Sequence, residues 1–199
     1  MLKGERTILR PMRREYLDRL LDFHNDVELQ LLGGEDVPVP LTPEHLAERF
    51  EALYAGQSPR PSWFAIEVQG GKIIGHCMLR NCMLRNIDEA ARTAELRITI
   101  GDRDYINRKY GRDVVRLLLK YAFRLRNLRK IWLAVPASNE RARRCFEAAG
   151  FAVEGCQRAH TWVDGRYDDR ILMAAFREPP AEPAPPAPEE PAAHAPHDA

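Results

Sequence analysis

The sequence predicts a single α/β domain followed by a disordered tail, and three observations carry that reading. At 199 residues the chain is long enough for one core of ordinary size and short for two. Strand-like apolar segments are interleaved with amphipathic helical ones from residue 6 to about residue 176. From Pro179 onward, eight prolines in 21 residues leave nothing to bury. The expected division is a folded domain over residues 1–178 and an extended, disordered tail over 179–199.

RTILRPM (6–12) alternates weakly and stops at a polar RRE, which reads as a strand followed by a helix over Arg13–His24. GGEDVPVP (33–40) is a loop. Thr42 caps a second helix with Pro43 at its first position, and Leu46, Phe50 and Leu53 keep helical spacing until Gly56. WFAIEVQ (63–69) and KIIGHCML (72–79) flank Gly70–Gly71 and form the strongest hairpin signal in the chain. AELRITIGD (94–102) sets Leu96, Ile98 and Ile100 against Glu95, Arg97 and Thr99, the alternation of a half-buried strand. A helix over 110–123 places Val114, Val115, Leu118, Leu119, Ala122 and Phe123 on its core side, and KIWLAVPA (130–137) is apolar enough for a central strand. Ser138 or Asn139 caps a short helix ending at Gly150, and a last hairpin over 151–176 turns at Asp164–Gly165.

Lys plus Arg (30) and Asp plus Glu (29) nearly cancel, which argues against a dedicated nucleic-acid binder. No run of 18 apolar residues suits a membrane span, and the charged start MLKGERTILRP lacks the apolar region of a signal peptide, so a soluble cytoplasmic protein is expected. Cys77, Cys82, Cys145 and Cys156 match no metal-ligand spacing; free thiols and no metal are expected. CMLRN occurs twice in tandem, at 77–81 and 82–86. Five is odd, so Leu79 and Leu84 would face opposite sides of a continuous strand, and one copy is expected to bulge or lengthen the hairpin tip.

NRKYGRDVVRLLLKYAF (107–123) runs from a basic loop through Gly111 into a helix. The first N–H groups of a helix lack intrahelical partners and the peptide dipoles add partial positive charge there, which suits a phosphate. Nine lysines and arginines fall between Arg108 and Lys130, most of them read as a solvated helix face.

The order strand, two helices, hairpin, strand, loop and helix, strand, helix, hairpin resembles the GNAT superfamily of N-acetyltransferases, in particular its ribosomal-protein N-terminal (Rim-type) and small-amine branch. ILRPM (8–12), IEVQGGKIIGHCMLRN (66–81), AELRITIGD (94–102), YGRDVVRLLLKYAF (110–123), NERARRCFEAAGF (139–151) and DGRYDD (164–169) carry the resemblance in that order. It implies a mixed, mostly antiparallel twisted sheet of six to seven strands with about four helices, its fourth and fifth strands splayed to admit the pantetheine arm of acetyl-CoA. Main-chain groups of Leu96, Ile98 and Ile100 would pair with the pantetheine amides, and Arg108, Lys109, Tyr110, Gly111 and Arg112 would hold the diphosphate. Asn139 would reach the cofactor or an ordered water while capping its helix, and Phe146 would border the cofactor.

Glu95 is the candidate base; the competing reading is a carboxylate that binds the amine or pairs with an arginine. His24, His76, His160 and Trp162 are candidates for the acceptor pocket, against the plainer reading that they pack. Two positions depart from the family pattern. Its diphosphate loop has Arg or Gln, two residues, Gly, one residue, Gly or Ala; the matching residues are Ile106, Asn107, Arg108, Lys109, Tyr110 and Gly111, and Lys109 either swings outward or fills the site. Many relatives carry a tyrosine that protonates the departing thiolate; Phe146 has no proton to give, and Cys145 points about 100° away around the helix. The expected reaction is acetyl transfer from acetyl-CoA to a primary amine of a small molecule or protein N-terminus, by direct attack in a ternary complex. The alternative is a GNAT-fold protein whose altered loop has made it a small-ligand binding module or turned it to another reaction. A homodimer is expected by analogy.

Overall fold

The structure, a computed structural model, describes residues 1–33, 38–55, 62–80 and 92–178. Among these, one sheet holds β1 (Leu2–Lys3), β2 (Thr7–Pro11), β3 (Ser62–Val68), β4 (Ile73–Arg80), β5 (Thr93–Ile100), β6 (Lys130–Pro136), β7 (Ala152–Val163) and β8 (Arg166–Phe176), in the order β1-β2-β3-β4-β5-β6-β8-β7. The helices are α1 (Leu17–His24), α2 (Val27–Gly33), α3 (Pro43–Tyr54), α4 (Tyr110–Arg124) and α5 (Glu140–Glu147). Every neighbouring strand pair is antiparallel except β5·β6. The expected α/β class holds. The strand beyond the expected number is the two-residue β1, and the added helix is α2, which occupies residues to which the sequence reading assigns no element.

β3 is buried at every position because helices cover both faces of the sheet. Phe64, Ile66 and Val68 pack with Val114, Val115, Leu118, Leu119 and Ala122 of α4, the stripe expected from the sequence. Trp63 and Ala65, pointing the other way, pack with Leu17 and Leu20 of α1 and Leu46 of α3. α1 begins at Leu17 after a 3₁₀ turn over Arg14–Tyr16, later than the expected Arg13. Gly101 lets α1 approach: a β-carbon there would lie 2.1 Å from the Phe23 ring. The Asp164–Gly165 turn forms as expected, with φ of 46° and 81°.

The first CMLRN copy enters β4, with Cys77 and Leu79 in the core. The second copy, with Cys82, and the tail from residue 179 lie outside the described residues. Among the described residues no helix is long and apolar enough to cross a membrane.

One carboxylate fastens the N-terminal strands to α4. Asp113 accepts from the N–H groups of Glu5 (3.1 Å), Arg6 (3.0 Å) and Thr7 (2.9 Å) and from the Thr7 hydroxyl (2.7 Å). Asp113→Ala strands four donors and should cost about 2 kcal/mol, read as a lower denaturation midpoint; an unchanged midpoint would mean that water replaces the carboxylate without loss.

Candidate active site

β5 and β6 pair at three positions, Thr93·Lys130, Ala94·Ile131 and Glu95·Trp132, although β5 continues to Ile100 and β6 to Pro136. Each strand then follows its other neighbour. β5 stays in register with β4 as far as Gly75·Ile100, and β6 with β8 as far as Pro136·Arg170. One edge of Leu96–Ile100 is left without a ladder partner among the described residues, and main-chain groups in that position need one. The strands expected to splay do so.

A cavity of about 340 Å³ opens at this gap. β5 contributes Ile98, Thr99 and Ile100, and the loop before α4 contributes Tyr105, Ile106 and Asn107. Lys109, Tyr110, Gly111 and Arg112 come from the start of α4, with Asn139, Arg141, Arg144, Cys145 and Phe146 from the region of α5. Leu29 and Leu32 of α2 close it from the far side.

The first bond inside α4 is Asp113 N–H to the Lys109 carbonyl, 3.2 Å, so the N–H groups of Tyr110, Gly111 and Arg112 have no intrahelical partner. No side chain caps them. With Lys109, Arg112, Arg141 and Arg144 along the walls, this end of the cavity fits a diphosphate, and the open β5 edge fits an amide-bearing arm. Lys109 takes the left-handed conformation, φ 67°, that the family's glycine would supply, and Asn107 does the same at φ 62°. The lysine carries a strain of about 1–2 kcal/mol, but the loop keeps its shape. Gly111 has ordinary helical backbone, and a β-carbon there would sit 3.5 Å from Cys145 Sγ, a normal contact. Glycine at this point leaves the cavity open.

Asn139 Oδ1 accepts from Ala142 N–H (3.1 Å), which is the expected cap, and its Nδ2 donates to the Leu32 carbonyl (2.6 Å). The second bond ties α2 over the cavity. Arg103 ties the other end of α2 through Asp26 (2.8 Å) and Glu28 (2.7 Å). The sequence reading missed α2, although Asp26 ahead of VELQLL and two glycines is a start-and-stop signal. Phe146 borders the cavity and packs on Phe151 at 5.8 Å. Burial pushes the Cys145 thiol up, against the pull of Arg112 and Arg141, and keeps it protonated.

Leu96 is buried in the core beneath the cavity, and Arg108 is exposed outside its walls. Glu95 stands at the last rung, 1% exposed, and is not in the cavity wall. Its Oε2 accepts from Arg80 Nε (2.7 Å) and its Oε1 from Arg97 Nε (3.1 Å). That is the arginine-pairing arrangement; proton transfer would require a guanidinium to be given up.

His76 and His24 are brought together, while His160 and Trp162 are placed elsewhere. Nδ1 of His76 accepts from Trp63 Nε1 at 3.3 Å. Burial, and then the nearby His24, lower His76 to about 4, so it is neutral. His160 is exposed on β7, and Trp162, 51% exposed, stacks edge-on against Tyr167 at 4.9 Å. Among the described residues no group of His, Cys, Asp and Glu side chains could hold a metal ion.

An uncapped helix start beside a split parallel pair is the cleft of an acyl-CoA-dependent transferase. Residues 6–152 match the acetyltransferase (GNAT) domain family, and the chain belongs to that family. It is 28% identical to the spermidine N(1)-acetyltransferase of Escherichia coli K12 over 169 residues, 85% of each chain. With the Vibrio cholerae enzyme of the same name it shares 33% identity over 86 residues, 43% of this chain and 49% of the relative. The fold matches a crystal structure of V. cholerae spermidine N-acetyltransferase in complex with CoA and spermine at a TM-score of 0.77 and 24% identity, covering 87% of this chain and 97% of that one. These relatives are polyamine acetyltransferases rather than ribosomal-protein N-terminal ones.

Two outcomes follow from the geometry. Gly111→Leu should leave the denaturation midpoint within about 1 kcal/mol and weaken acetyl-CoA binding tenfold or more in calorimetry, because the added chain occupies the cavity; undiminished affinity would place the cofactor elsewhere. The lowered value of His76 means that the unfolded chain takes up a proton that the folded chain refuses between pH 6.5 and about 4. Its contribution to stability is complete above that window and lost as pH falls through it. Stability measured from pH 7 to pH 4 should fall less in His76→Gln than in the native protein; equal slopes would exclude His76 as a cause.

Proposed function

We propose that this protein transfers the acetyl group of acetyl-CoA to the primary amine of a small molecule, by direct attack within a ternary complex. The observation that carries the reading is the order of two features along one cleft, an unpaired strand edge at Leu96–Ile100 and an uncapped helix start at Tyr110–Arg112.

Acetyl-CoA, when bound, supplies an acetyl thioester whose thiolate is a good leaving group. The N–H groups of Tyr110, Gly111 and Arg112 would hold its diphosphate, with the Arg112, Arg141 and Arg144 guanidiniums around them. Ile98 and Phe146 keep the inner wall apolar. No carboxylate or imidazole of the described residues lines the cavity, and its positive groups disfavour an ammonium. The amine is therefore taken up neutral, its proton having passed to water. Phe146 gives no proton, so water carries one to the departing sulfur.

The relatives named for spermidine make a polyamine one acceptor to test, and a protein N-terminus is a second. Lys109, held in the glycine conformation, supports retained CoA binding over the small-ligand alternative.

The direct test incubates the protein with acetyl-CoA and a panel of amines and follows free thiol with the mass of the acetylated product; thiol release matched by N-acetyl product is expected. Lys109→Gly should raise stability by about 1 kcal/mol and change acetyl-CoA affinity by no more than a few-fold. Affinity that arises only in that variant would overturn the proposal in favour of a binding module with a blocked loop.

A further inference from the structure

The loop between β5 and α4 is strained where it meets the cavity. Asn107 and Lys109 both take left-handed backbone, φ 62° and 67°, and residues that carry a side chain keep such conformations only where their surroundings fix them. The far end of the loop is fixed by α4. Its near end starts at Gly101 and Asp102, whose N–H groups both donate to the Ile74 carbonyl of β4, at 2.9 and 3.0 Å.

The Asp102 side chain ties a knot at that point. It is 6% exposed, and its Oδ1 accepts from Asp104 N–H at 3.1 Å, capping the 3₁₀ turn over Arg103–Tyr105. Its Oδ2 accepts from Lys72 Nζ (2.8 Å), on the turn before β4, and from Arg19 (2.9 Å), on α1. Burial raises this carboxyl, but hydrogen bonds from Lys72 and Asp104 and the charges of Lys72 and Arg19 hold it below the ordinary carboxylate range. Lys72 passes the constraint on. Its ammonium lies 5.0 Å from the centre of the Tyr105 ring, and Tyr105 meets Tyr110, the first residue of α4, edge-on at 5.2 Å. Both rings line the cavity. The two cations are 47% and 41% exposed, so ion pairing by itself adds little stability. What the carboxylate does is set the place of the loop.

We infer that Asp102 and Lys72 are positioning residues for the acyl donor: together they hold residues 105–110 in the shape that presents the Tyr110, Gly111 and Arg112 N–H groups to the diphosphate. This role rests on the acetyltransferase reading. Neither side chain lines the cavity, so each acts through Tyr105 and the loop backbone and not by contact with the cofactor. Their loss is therefore a loss of donor binding, while the handling of the amine and the chemical step stay as they are.

The test separates donor affinity from stability. CoA, which binds without reacting, is titrated by calorimetry at a temperature where every variant is folded, and steady-state constants are measured with acetyl-CoA and an amine of the panel that reacts. Asp102→Asn keeps an oxygen for the Asp104 N–H but removes the charge that gathers Lys72 and Arg19. It should weaken CoA binding by about tenfold, the size of one hydrogen bond to a charged group. The KM for acetyl-CoA should rise in step, with kcat and the KM for the amine within about twofold of native. Lys72→Met should show the same split, and Lys72→Arg should keep affinity within about threefold of native. The double variant of Asp102→Asn and Lys72→Met should bind no more weakly than the worse single one, because both changes break one pair. Leu46→Ala, which opens a hole in the α1–α3 core, is the destabilised control and should leave CoA affinity within about twofold of native. Native affinity in Asp102→Asn, a loss that Leu46→Ala reproduces, or additive losses in the double variant overturns the proposal and leaves the transferase reading standing. Weakened CoA binding in Asp102→Asn with no amine acetylated by the native protein keeps the positioning role and counts against the transferase. A native protein that binds no CoA overturns both.

Discussion

The parallel pair β5·β6 stops after three rungs, and the chemistry depends on that stop. A sheet closed at this point would satisfy the main-chain groups of Leu96–Ile100 internally and leave no entry. Two antiparallel neighbours hold the strands apart, β4 on one side and β8 on the other. Among the described residues, a buried carboxylate at the last rung accepts from Arg80 of β4 and Arg97 of β5. The carboxylate is buried while Arg80 and Arg97 stay 41% and 27% exposed, so charge holds the point of parting together with register. Glu95 thus shapes the cleft from behind its wall.

The same parting gives the cleft two faces with different electrostatics. On the α4 side, open N–H groups and wall arginines meet the phosphate end of a cofactor. On the α1–α3 side, Arg97 donates to the buried Glu95 carboxylate. α2 joins the two regions, held at one end by Arg103, on the turn after β5, and at the other by Asn139, at the start of α5. A helix of seven residues has little stability of its own. Tethers at both ends keep it in place, with half-buried Leu29 and exposed Leu32 on the cavity wall.

What the sequence revealed follows from what is local. The α4 stripe, the Asn139 cap, the Asp164–Gly165 turn and the basic loop leading into a helix are each set within a few residues, and they were legible. The splay was legible through resemblance, because it depends on which strands neighbour each other and not on either strand's own pattern. Glu95 could not be ranked between base and ion-pair partner, since Arg80 lies 15 residues away and becomes a neighbour only in the β4·β5 register. His160 and Trp162 lie away from the cavity for a related reason. β8 leaves β6 at Arg170, and the hairpin beyond it pairs with itself alone, carrying both side chains past the sheet. Alternation along a strand gives the face a residue occupies but not how far the strand outruns its neighbours. At Lys109 the backbone takes the left-handed conformation that the family's glycine would supply, and the residue lines the cavity.

Residue-resolved amide hydrogen exchange, with and without CoA, tests the central claim most directly. Exchange should slow along the free edge of Leu96–Ile100 and at Tyr110–Arg112 together, while β2 and β3 keep their rates. Slowing at the helix start alone, or at neither place, would mean that no cofactor arm completes the interrupted ladder.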